Sequence, residues 1–137
     1  NDVAYHAGGR TWNNKSIGVE IANAYYPKYQ GWYKKNGLGE RPLVKDAKIH
    51  GKTLDPFMDF YPEQYEALKA LMKAVHEATG IPLEAPLDRS GNTNTTVSKK
   101  AADGRFEGFV SHYHLKRGKI DCANLDLKTI LENIKNG

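Results

Sequence analysis

A single mixed α/β (α+β) domain is the fold class this sequence predicts, and three observations lead to it. The chain has 137 residues, one domain's worth, with no room for two independent cores. Residues 16–22 alternate apolar and polar, which is the period of a strand. Two later segments carry apolar residues at helical spacing, one after Pro62 and one after Asp126.

The first expected element is a strand over Ser16 to Ala22. Ile17, Val19 and Ile21 point one way, and Ser16, Gly18 and Glu20 the other. Glu20 therefore stands off the core face. Residues 24–60 read as a long Tyr-rich insertion without a sustained period. Its aromatics, among them Tyr25, Tyr26, Tyr29, Trp32 and Tyr33, suit either a sugar-stacking platform or pins holding the segment to the body. Pro62 to Thr79 is the best helix. Pro62 fits the first turn, and Glu63 and Glu66 favour the positive end of the dipole. Tyr65, Leu68, Leu71, Met72 and Val75 make the buried stripe, and Gly80 stops it. His76 beside that stripe reads as a packing or surface histidine. Leu83 to Arg105 reads as a mobile polar loop. A second strand is expected over Phe106 to Tyr113. Asp126 caps a final helix with Leu127, Ile130, Leu131 and Ile134 on one face.

Composition narrows function. No apolar run approaches the ~18 residues of a membrane span. There is 1 cysteine, Cys122, so a disulfide framework is excluded. The net charge is +4 and the isoelectric point about 9.1, with mean hydropathy −0.66. That basic excess suits either a polyanionic neighbourhood or ordinary solubility. No run of basic residues or nucleic-acid motif accompanies it, so a nucleic-acid partner is not expected.

Possible metal ligands concentrate between Ser111 and Leu125. His112 and His114 would share one face if the strand continued through them. Lys119, Asp121 and Cys122 follow. Imidazole with carboxylate or thiolate suits zinc. A lysine beside a ligand can stabilise an oxyanion formed when water attacks a carbonyl.

Three pieces in order carry a resemblance. They are Ala4-Tyr5-His6-Ala7-Gly8, then Asn14-Lys15-Ser16-Ile17-Gly18-Val19-Glu20, then His112 followed by Lys119-Ile120-Asp121-Cys122. Together they resemble the zinc-dependent N-acetylmuramoyl-L-alanine amidases, which share a fold with the peptidoglycan recognition proteins. The long segment after the first strand is similar to phage or wall-lytic members. The resemblance implies a central mixed sheet flanked by helices. It implies a Zn²⁺ cofactor that activates water for attack on the amide between N-acetylmuramic acid and L-alanine. His112 and Asp121 would be zinc ligands, with Cys122 and His114 as alternatives. Lys119 would stabilise the oxyanion, Glu20 would act as general base or orient the water, and His6 would lie near the substrate. The implied setting is the cell wall, as for a bacteriolytic, antimicrobial endolysin, with a muropeptide partner, no membrane insertion and a monomeric state.

The pattern also departs from the family. Such enzymes take their first histidine ligand from a strand before the Ala4 to Gly8 piece, and the chain opens at Asn1 without it. The expectation is an amidase catalytic domain over residues 1–137 that is a fragment lacking its N-terminal strand or strands, with the first histidine ligand outside this chain; His6, His50 or His114 is the substitute if the site is complete. The spacing from His112 to Lys119 is one residue shorter than in relatives with an aspartate ligand. Ala123-Asn124 stands where many relatives have proline or glycine. The alternative function is a non-catalytic peptidoglycan-binding module of the same fold.

Overall fold

A computed structural model describes residues 15–137 of the chain. Its core centres on two packed helices, which are the two read from the sequence. The longer, α2, spans Pro62–Thr79. Pro62 occupies its first turn, and the Gln64 side chain accepts the Tyr61 N–H at 2.9 Å. Gly80 ends it in the left-handed conformation, φ 76°, which glycine adopts without a Cβ penalty. His76 is half-buried, and its Nδ1 donates to the Ile81 carbonyl at 2.6 Å. The last helix, α4, spans Leu127–Asn136. Asp126 caps it, accepting from the Thr129 N–H at 3.3 Å and the Thr129 hydroxyl at 2.9 Å.

These helices pack on each other through Met72, Leu127 and Leu131, with Ala85 and Leu125 closing the cluster. Leu127 and Leu131 are 1% and 2% exposed. Each such leucine stabilises the fold by roughly 1.5–3 kcal/mol.

Residues 24–60 are more regular than the sequence suggests. A 3-10 turn at Pro27–Tyr29 leads into a short helix, α1, Gln30–Lys35. Two antiparallel ribbons follow. Strand β1, Leu43–Val44, pairs with β4, Phe57–Met58. Strand β2, Lys48–Ile49, pairs with β3, Lys52–Thr53. Strands of two residues are too short to leave a readable period. His50 and Gly51 turn the β2–β3 hairpin with φ 56° and 75°, the positive pair of a type I′ turn.

The aromatics of this segment divide between the two roles considered for them. Tyr25 stacks on Phe57 with ring centroids 4.8 Å apart. Tyr33 and Tyr61 both lie against the Arg41 guanidinium, at 4.8 and 4.7 Å. Arg41 is 2% exposed and donates to Asn23 Oδ1 at 2.6 Å and to the Asp59 carbonyl. Gln30 reaches from α1 to both the N–H and the carbonyl of Arg41. These groups pin the segment down. Tyr26, Tyr29 and Trp32 stay exposed.

Two strand expectations need correction. Residues 16–22 and 106–113 are not assigned as strands. An extended segment becomes a strand only by laddering with another, and the ladders among the described residues join β1 to β4 and β2 to β3. Ile17, Val19 and Ile21 line a cavity of about 920 Å³ facing Leu68, Met72 and Val75 of α2. The alternation does not divide this segment into two faces, since Ser16 and Gly18 line the same cavity as the apolar residues and Ile17 and Val19 stay exposed. The second segment ends in a 3-10 turn at His112–His114. The stretch expected as a mobile polar loop also carries structure. A bridge joins Leu87 to Thr93, and helix α3 spans Lys99–Ala102. The mixed α+β character expected from sequence holds, with small antiparallel ribbons supplying the β part.

Gly108 fixes how the second segment lies. Its φ is 145°, and a Cβ there would stand 2.3 Å from the Glu84 carbonyl oxygen. Only glycine permits that approach. The neighbouring Phe109 N–H donates to the same oxygen at 2.8 Å. This docking delivers the chain to His112.

Candidate metal and catalytic site

The 3-10 turn sets two histidines to different tasks. At three residues per turn, positions two apart lie about 240° around the axis. His112 and His114 therefore do not share a face, as a strand would have required. His112 turns outward and His114 inward.

His112 Nδ1 donates to Asp121 Oδ2 at 2.6 Å. The two side chains are 40% and 54% exposed, and both border the cavity beneath Ile17 and Val19. The loop between them is short and closed on itself. Lys116 N–H bonds the His112 carbonyl, Lys119 N–H bonds the Lys116 carbonyl, and Tyr113 N–H bonds the Asp121 carbonyl. An imidazole and a carboxylate thus converge on one solvent-accessible point. That donor pair suits a zinc ion. The contact also allows a carboxylate to orient a ligating imidazole.

His114 has 0% exposure. Its Nδ1 accepts the Ser111 N–H at 3.0 Å, and its Nε2 donates to the Asn94 carbonyl at 2.6 Å. Both nitrogens are engaged by backbone, and the ring is neutral. Burial pushes its pKa down to about 4, against the opposing hydrogen bond to Asn94. Cys122 packs against the helical core. Burial pushes its thiol up to about 11, with a further push from Asp121. His114 therefore faces the interior, whereas the half-buried Cys122 borders the same cavity as His112 and Asp121.

Glu20 is exposed. Lys119 is exposed at the tip of the loop. His6, and the whole Ala4 to Gly8 piece, lie outside the described residues. No group of three or more His, Cys, Asp or Glu side chains converges on one point among the described residues.

Sequence reasoning treated His50 only as a substitute ligand. In the structure its Nδ1 meets Thr96 Oγ1 at 2.9 Å, and its Nε2 meets the Lys119 carbonyl at 2.9 Å. The one signal for this in the sequence is His-Gly itself, a pair able to turn a tight hairpin.

Comparison with curated proteins and with solved structures gives no match. A family model described as N-acetylmuramoyl-L-alanine amidase matches residues 1–121. The match ends on Asp121 and covers all three sequence pieces except the residue after it. By that match, over most of its length, the chain belongs to the N-acetylmuramoyl-L-alanine amidase family.

Proposed function

We propose that this chain is a zinc-dependent peptidoglycan amidase that cuts the bond between N-acetylmuramic acid and L-alanine. Family membership carries the substrate class. The observation that supports a catalytic role is the convergence of His112 and Asp121 at 2.6 Å, two residues from Lys119. His112 and Asp121 would hold the ion. Bound there, zinc supplies activation of water for attack on the amide carbonyl. Lys119 offers its ammonium to the carbonyl oxygen as negative charge develops there. Glu20 takes the proton from the attacking water and returns it to the departing alanine nitrogen. His6 contacts the substrate. The exposed Tyr26, Tyr29 and Trp32 offer flat apolar faces for sugar rings. The setting of such an activity is the cell wall, as for an endolysin.

The test is hydrolysis of a soluble muropeptide by the full chain supplied with zinc. Glu20→Ala and Lys119→Ala should each lower kcat by about 10²-fold or more, with little change in KM. Full activity in the double variant would sink the assignment. Tight muropeptide binding without turnover would place the chain with the non-catalytic wall-binding modules.

A further inference from the structure

The geometry points to His50 as a positioning residue that fixes the Lys119 to Asp121 segment from across the molecule. This rests on the role given to Lys119 above. His50 comes from the β2–β3 hairpin, inside the Tyr-rich segment and outside all three family pieces. Its ring bridges two loops. A carbonyl can only accept, so the contact to Lys119 puts the proton on Nε2. Nδ1 meets the Thr96 hydroxyl on the other side of the ring. The backbone adds a third tie, His50 N–H to the Thr95 carbonyl at 2.9 Å.

The loop carrying Lys119 is also held by its own turn, by Tyr113 and by the His112–Asp121 contact. His50 supplies a bond from outside the loop to the residue meant to meet the oxyanion. Its backbone sits at φ 56°, a region that non-glycine residues enter sparingly and mostly where the surroundings fix them. The hairpin turn would be better served by asparagine before glycine. The contact to the Lys119 carbonyl is what histidine adds at this turn.

That conflict gives a clean test. His50→Asn suits the turn and can keep the Thr96 contact, but is too short to reach Lys119. His50→Gln can reach the carbonyl with its terminal amide. On a soluble muropeptide, His50→Asn should lower kcat about tenfold with KM nearly unchanged, and His50→Gln should recover most of it. In a Lys119→Ala background, His50→Asn should cost less than about twofold more, because both changes remove one contribution. Unchanged kcat in His50→Asn, or the same loss again without Lys119, overturns the inference. Amide exchange at Lys119 and Tyr113, whose N–H groups bond within this loop, gives a readout without turnover. It should quicken about tenfold in His50→Asn and return in His50→Gln. If the wild-type chain does not cleave muropeptide, the functional proposal fails. The exchange result then decides the positioning role: quickened exchange supports it and unchanged exchange rejects it.

Discussion

His112 and His114 stand two residues apart and differ in almost every physical respect. His114 bridges two backbone groups in the interior. Removing the ring leaves the Ser111 N–H and the Asn94 carbonyl without it. His114→Ala should lower unfolding free energy by on the order of 3 kcal/mol. His112→Ala, at a half-exposed position, should change it by less than about 1 kcal/mol. Urea denaturation of both variants checks the contrast, and equal effects would refute it. The sequence showed both as possible ligands because residue type and spacing are all it records. Their division depends on a 3-10 turn, which hydrophobic periodicity does not reveal. The outward pair of His112 and Asp121 was legible through the family pattern, whereas His50 was not. Its contact to Lys119 joins residues distant in sequence, through a backbone carbonyl that carries no side-chain signature.

Helices and strands differed in how much of them could be read. Helix α2 and helix α4 satisfy their own backbone groups, so the caps and apolar stripes sufficed to find both. A strand is completed by a neighbour, and local alternation at Ser16 to Ala22 names no neighbour. The cap of α4 also carries a pH dependence. Burial disfavours the charge on Asp126, yet hydrogen bonds from Thr93 and Thr129, helped by Lys128, outweigh it and hold the carboxyl below its ordinary range. A carboxyl with a lowered folded-state pKa stabilises the fold above its unfolded-state value. That contribution is lost as pH falls through the folded-state value. Asp126→Asn keeps an acceptor at the cap but cannot titrate. The variant should lose less stability than the wild type between neutral pH and acid, as followed by thermal melting. Parallel acid limbs would contradict this.

For the molecule as a whole, the expectation is coupling between metal and fold. If His112 and Asp121 hold zinc, adding it to the dialysed chain should raise Tm, and a chelator should reverse the rise. Saturation at a thousand times Kd corresponds to about 4 kcal/mol. His112→Ala and Asp121→Ala should each abolish the shift, read by calorimetry. A shift that survives both changes would place the ion elsewhere. At this scale the sequence carried the family and the mixed α+β class. It did not carry the ordered ribbons of residues 24–60, because their joints are cross-segment contacts such as Gln30 to Arg41 and Asn23 to Met58. No helix among the described residues is long and apolar enough to cross a membrane.

The Arg41 joint has a consequence for ionic strength. Ion pairs such as Lys34–Glu40 and Lys99–Asp103 sit in solvent, where mobile ions screen them. Arg41 is held instead by two aromatic faces and by neutral acceptors, away from mobile ions. Raising salt should therefore loosen the surface while leaving this fastening intact. The fastening of residues 24–60 should hold in brine as in dilute buffer.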